Sequence, residues 1–210
     1  MATKLPQQNR AIRTRDRILQ QAAQLFAVRG YHDTSLSDIR QAAGVTTGAL
    51  FHHFDGKQEI GLAVIASHME RRRKELDAIE RRLGPVSDDQ PLGAVYRRLD
   101  AVRNMVRRRR NNKGGCIIGN LSTSLSDTDP VFRKRLSECF DEMALEFRVH
   151  LDEAAARCGP PVRTGTWDLA RYIVSVIEGA IMLARTHRNL ELIDRQFEHL
   201  KEDLRRTFEP

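Results

Sequence analysis

Apolar residues recur at intervals of three and four along almost the whole chain, and no comparable stretch alternates with period two. Ile18, Ala22, Leu25 and Phe26 form one such row, Leu99, Val102 and Val106 a second, and Leu136, Phe140, Met143 and Phe147 a third. That period belongs to helices, so the expected fold class is all-α, with about nine helices. Glycine, proline and capping residues divide them. A first helix over about 10–29 stops at Gly30. Ser35-Leu-Ser-Asp38 has the form of a capping box opening a short second helix that ends at Gly44. Thr46 or Thr47 caps a third helix through Phe54, and Asp55 with Gln58 caps a long fourth to about Leu83. Gly84-Pro85 to Pro91 is the clearest linker. Beyond it helices are expected over about 92–110, 116–125, 130–158, 165–188 and 190–208, the 130–158 helix opening on Pro130 at the favoured first position.

The chain has 210 residues and a formal net charge of +7. The surplus is uneven: +3 over residues 1–60, +7 over 61–113 and −3 beyond. A positive field confined to the N-terminal half points to an anionic partner on that side. Cys116, Cys139 and Cys158 lie far apart, with no C-x-x-C and no histidine at ligand spacing, so neither a disulfide framework nor a metal site is expected. The opening residues lack an apolar leader and the longest near-apolar run, residues 172–185, is broken by Ser175 and Glu178. A cytoplasmic protein with no membrane span is expected. Serine-hydrolase, P-loop and dinucleotide motifs are absent, which counts against the alternative of an enzyme using Cys116 or a histidine; no cofactor is expected.

Within residues 36–54, a short helix, a turn at Gly44 and a second short helix make a helix-turn-helix, and the second helix has the size that enters the major groove. Its first turn carries Thr46, Thr47 and Gly48, two small hydroxyls and a residue without Cβ, which let a backbone approach closely. Leu50 and Phe54, four apart, face inward, leaving Phe51, His52 and His53 nearer the outer side. Lys57 adds a positive charge at the start of the next helix. Spacing alone is equally compatible with a helical hairpin whose polar side chains are merely solvated.

Residues 18–65, ILQQAAQLFAVRGYHDTSLSDIRQAAGVTTGALFHHFDGKQEIGLAVI, resemble the DNA-binding domain of TetR-family regulators. The resemblance rests on Ala-x-x-Leu-Phe, Gly-Tyr-x-x-Thr-Ser, Ile-x-x-Ala-Ala-Gly-Val and Gly-x-Leu-Phe-x-His-Phe-x-x-Lys. It implies that Thr46, Thr47, Gly48, Phe51, His52, His53 and Lys57 contact DNA, with Thr34, Ser35 and Ser37 gripping it at the start of the supporting helix. Phe51 departs from the family's usual tyrosine, so the phenolic hydroxyl that reaches a phosphate is missing. The implied arrangement is residues 1–56 as a DNA-binding domain and 57–210 as a ligand-binding and dimerisation domain. A homodimer would address a palindromic operator whose half-sites lie about 34–36 Å apart or a multiple of that.

In the last helix Leu190, Ile193, Phe197, Leu200 and Leu204 are spaced three and four apart, and Gly179, Ala180 and Leu183 offer a close-packing face on the helix before it. Periodicity allows either core packing or a second copy; the resemblance implies a dimer interface through Gly179, Ala180, Leu183, Ile193, Phe197, Leu200 and Leu204. It likewise implies a small-molecule effector site among helices four to eight, with Cys116, Asn120, Phe140, Met143, Phe147, Trp167, Arg171, Val174 and Glu178 as candidates. Gly-Cys116-Ile-Ile-Gly-Asn-Leu resembles a branch in which this cysteine lies beside the effector and in some members senses electrophiles. Arg107 to Arg110 and Lys113 are close in sequence and would favour its thiolate; a small buried hydrophobe is the plainer reading. The expected function is transcriptional repression relieved by an effector, the alternative an effector-independent DNA-binding protein.

Overall fold

A computed structural model describes residues 5–87, 90–108, 115–158 and 165–208, with side chains from residue 9 onward. All the regular structure among them is helical: α1 (Leu5–Arg29), α2 (Leu36–Ala43), α3 (Thr47–His53), α4 (Lys57–Leu83), α5 (Gly93–Arg108), α6 (Ile117–Leu125), α7 (Pro130–Cys158), α8 (Thr166–His187) and α9 (Glu191–Phe208). The expected helix boundaries hold to within two residues, except that α1 begins at Leu5, five residues before the expected start at about residue 10. Asp88, Asp89, Arg109, Arg110 and Lys113, on which parts of the linker and basic-run readings rested, lie outside the described residues.

The chain forms two compact units. The first comprises residues up to Glu70 together with Ile117–Leu136, so that α6 and the first turns of α7 fold with α1, α2, α3 and the start of α4. Its core is built from one face of each helix: Ile18, Ala22 and Phe26 of α1, Ile39 and Ala43 of α2, Leu50 of α3, and Ile60, Val64 and Ile65 of α4. Tyr31 holds the centre. Its ring lies 5.1 Å from Phe26 and 5.1 Å from Phe132, edge-on to the latter. Gly61 is required here, because a Cβ on it would stand 2.6 Å from the Phe132 ring. Asp129 caps α7 by accepting the backbone N–H groups of Val131 and Phe132, and it also accepts a hydrogen bond from the Gln58 amide at 2.9 Å. Gln58 thus serves α7, while the N–H of Asp55 donates to Glu59, not to Gln58.

The second unit comprises Arg71–Cys116 and Ser137–Pro210. Here α9 packs on α8 and α5. Leu99 and Val102 of α5, Phe147 and Leu151 of α7, Ile173 and Ile177 of α8, and Ile193, Phe197, Leu200 and Leu204 of α9 are buried together. This core encloses an ion cluster. Arg72 donates to both carboxylate oxygens of Glu146 at 2.7 Å, and Arg98 reaches the same carboxylate at 2.9 Å and Glu80 at 3.1 Å. Burial alone would lower the affinity of Arg98 for its proton; Glu146 and Glu80 more than offset that and hold its pKa above the ordinary value. Arg72 thus turns inward, although it stands in a run of basic residues from Arg71 to Lys74.

Candidate nucleic-acid interface

The helix-turn-helix is assembled by local chemistry. Ser35 caps α2, its hydroxyl accepting the Asp38 N–H at 3.1 Å while the Asp38 carboxylate accepts the Ser35 N–H at 2.8 Å. The Ser35 hydroxyl also donates to that carboxylate at 2.5 Å, and this bond, with the one from the Ser35 N–H, holds the Asp38 carboxyl below its ordinary pKa. Gly44 ends α2 in the left-handed region at φ 59°, where its N–H and that of Val45 still reach Gln41 and Arg40. The chain then enters α3 through Thr46, whose hydroxyl accepts the Ala49 N–H at 3.2 Å.

Seven residues of α3 divide into two faces. Leu50 is buried, as is Phe54 at its C-terminal cap, while Thr46, Thr47, Gly48, Phe51 and His52 are exposed and His53 is half-buried. Phe51 presents half its surface to solvent, an unusual position for a large apolar ring. A Cβ added to Gly48 would meet nothing within 4 Å, so the fold itself does not demand a glycine there. The rings of His52 and His53 stand 5.2 Å apart. His53 is held below the ordinary histidine pKa, first by burial and then by the charges of His52 and Arg15.

Two of the residues expected to contact DNA are engaged inside the protein. Thr34 is fully buried, and its hydroxyl donates to the Gly30 carbonyl at 2.8 Å, so its side chain braces the loop before α2. Ser35 and Ser37 beside it are exposed. Lys57 points back into its own unit: its ammonium donates to the carbonyls of Tyr31 and Thr34 at 3.0 and 3.1 Å and sits 4.4 Å from the Tyr31 ring centre. With the His32 carbonyl at 3.5 Å as a third acceptor, the loop offers this cation a better-defined set of partners than solvent does. Tyr31 beneath it has its phenol pushed up to about 12 by burial and by the nearby charge of Asp129.

The second unit separates the remaining candidates. Met143, Phe147 and Val174 are buried, and Cys116, Phe140, Trp167 and Glu178 are half-buried. Asn120 belongs to the first unit, where its carbonyl accepts the hydroxyls of Thr123 and Ser124. Arg171, another effector candidate, is exposed, paired with Asp141 at 3.1 Å and stacked 4.7 Å from the Trp167 ring centre. The buried stripe of α8 runs through 170, 173, 174, 177 and 181, and position 171 falls outside it. Cys116 precedes α6 and carries no disulfide. Arg107 is engaged by Asp194 on α9.

The expected dimer residues are divided in the same way. Ile193, Phe197, Leu200 and Leu204 are buried within the chain itself, against α8 and α5, and Ala180 is buried too. The seam of α9 therefore faces its own chain. Gly179 and Leu183 do reach the surface, and with Tyr172, Val176 and Met182 they form an outward stripe along α8; Met182 is 63% exposed and Leu183 41%. Tyr172 and Met182 carried no signal in the sequence that set them apart from core residues of the same helix.

Comparison with known proteins adds a separate line of observation. Residues 18–64 match a family model described as bacterial regulatory proteins, tetR family, and residues 92–200 match one described as tetracyclin repressor-like, C-terminal domain. An HTH-type transcriptional regulator in the lacX 3′ region of Lactococcus lactis subsp. lactis is 30% identical, over 90% of this chain and 91% of its own length. The HTH-type transcriptional repressor DhaR of Mycobacterium sp. (strain GP1) is 27% identical, covering 86% of each. Among solved structures, a TetR transcriptional regulator from Chloroflexus aurantiacus J-10-FL superposes with a TM-score of 0.78 at 30% identity, covering 91% of this chain and 94% of that one.

Proposed function

Because this chain belongs to the TetR family of bacterial regulatory proteins, and is thus a DNA-binding transcriptional regulator and not an enzyme, we propose that it works as a homodimeric repressor released from a palindromic operator by a small-molecule effector. The observation that carries the DNA half of this reading is the outward face of α3. Thr47, Gly48, Phe51 and His52 stand exposed on a helix whose opposite side is locked by Leu50 and Phe54, and the glycine among them answers to no contact inside the protein. Small side chains at the helix start admit the duplex, and Phe51 offers ring surface to a sugar or a thymine methyl. Residues 1–56 carry this activity in our reading, and 57–210 the effector and dimer contacts.

Dimerisation is assigned to the α8 stripe. A row of Tyr172, Val176, Gly179, Met182 and Leu183 facing water is the kind of patch a second copy covers, with the two-fold symmetry that an inverted repeat requires. The repressor sense is supported by the repressor DhaR among the relatives. Effector control follows if the ligand binds the DNA-incompetent state of the dimer more tightly than the competent one. Buried Met143, Phe147 and Val174, with half-buried Cys116 and Trp167, are the residues we assign to it. The continuity of α4 from Lys57 to Leu83 is the route of coupling.

Selection of duplexes from a random-sequence pool, followed by footprinting, tests this. The expected product is an inverted repeat protected in both halves, with affinity falling steeply as salt rises. A protein that enriches no repeat, or that binds duplexes without salt sensitivity, overturns the reading. A thermal-shift screen of small acids and electrophiles on the wild type and on Cys116→Ser then addresses the effector.

A further inference from the structure

The helix-turn-helix is short of positive charge. Between residues 36 and 57 the only lysine or arginine residues are Arg40 and Lys57, and the ammonium of Lys57 is spent on the carbonyls of Tyr31 and Thr34. Affinity for duplex DNA comes largely from cations set against phosphates. The first unit holds such cations elsewhere.

The N-terminal half of α1 precedes the part of the chain that matches the family's DNA-binding domain, which begins at residue 18. Arg10, Arg13 and Arg17 are spaced three and four apart, so they share one side of the helix. All three are exposed, and among the described residues none is paired with a carboxylate. They form one wall of a cleft of about 1010 Å³ whose other wall is the turn and recognition helix, with Thr46, His52 and His53 facing them. No acidic residue lines that cleft, and Asp16, the one carboxylate among residues 5–17, is not part of it. The wall is also held in position: the guanidinium of Arg15, on the side of α1 away from this row, lies 5.3 Å from the ring centre of buried Phe54 at the end of α3.

We propose that the Arg10, Arg13 and Arg17 face of α1 is a second DNA-binding element, which grips the sugar-phosphate backbone beside the base pairs addressed by α3. From Arg10 to Arg17 the helix rises about 10 Å. Phosphates of one strand follow one another every 3.4 Å or so along the duplex axis, so the row is as long as about three of them. A backbone seated in the cleft meets arginines on one side and the Thr46 hydroxyl and histidine rings on the other. The contact is with phosphate and carries no base code, so it lengthens the footprint and strengthens binding without altering which sequence is chosen.

The inference rests on the DNA-binding reading above, and the experiment separates the two. The full-length protein and the Arg10→Ala, Arg13→Ala, Arg17→Ala triple variant are titrated with the duplex enriched by the wild type, over a range of salt, and footprinted. The triple variant is expected to lower the slope of log K against log salt by about 3 per protomer, with the same central bases protected and the flanks released. Lysine at the same three positions restores the slope. An unchanged slope in the alanine variant overturns the phosphate grip while leaving α3 as the reader. A wild type with no salt-sensitive preference overturns both, and does so before any substitution is made.

Discussion

The side chain of Lys57 crosses the face of the Tyr31 ring at 4.4 Å and ends on the carbonyl oxygen of that same residue at 3.0 Å. With a further bond to the Thr34 carbonyl, it ties the first turn of α4 to the loop that launches α2. A lysine here is a brace for the recognition element.

Lys57→Ala is therefore expected to lower stability by about 1 kcal/mol, a fall in Tm of roughly 2–4 °C. The salt dependence of DNA binding should be unchanged. Thermal unfolding and a salt titration check both; a stable variant with a flatter salt slope would return Lys57 to the phosphate backbone.

Two kinds of apolar residue in α8 and α9 should respond differently to substitution. Leu183→Glu or Met182→Glu should leave helical circular dichroism intact and convert the protein to a monomer in sedimentation, with operator binding greatly weakened. Phe197→Ala should cost about 3–5 kcal/mol of folding stability, because that ring is wholly buried in its own protomer.

Glu146 lies between Arg72 and Arg98. Glu146→Ala leaves two buried guanidinium groups facing each other and should destabilise the protein by about 3 kcal/mol in urea unfolding. Arg103→Ala, which breaks more exposed pairs with Asp100 and Glu198, should cost under about 1 kcal/mol.

His53 gives opposite pH signs to folding and binding. Its pKa in the folded protein is below the ordinary value, so the unfolded chain takes up the proton first and stability falls as pH drops through about 6.5. Phosphate placed in the same cleft favours the charged ring, so DNA binding should strengthen over that same fall. His53→Gln should flatten both profiles, followed by unfolding and by titration with duplex from pH 7.5 to 5.5.

The helices and the recognition turn could be read in advance because their signals are local. Ser35 and Asp38 cap each other three residues apart, Gly44 ends α2 in a conformation that favours glycine, and Pro130 opens α7. What escaped is non-local. The acceptors of Lys57 lie 23 and 26 residues away. A three-four spacing in α9 has the same form whether it meets its own chain or a second copy. Arg171 and Glu178 are two helical turns apart, yet Glu178 is half-buried while Arg171 is exposed against Asp141 and Trp167. Arg72 looks like its neighbours in a basic run until Glu146, 74 residues on, draws it in. The Arg10, Arg13 and Arg17 row precedes the apolar pattern of α1, and only the folded cleft brings it beside α3.

Gly48 stands with open space where its side chain would be. Alanine there should be tolerated or even welcomed by the helix, by up to about 1 kcal/mol. A survey of variants scored for folding would accordingly rate this site as permissive, while one scored for promoter occupancy would rate it as strict. The gap between those two rankings, taken residue by residue along α3, would trace the outline of a bound duplex from the protein side alone.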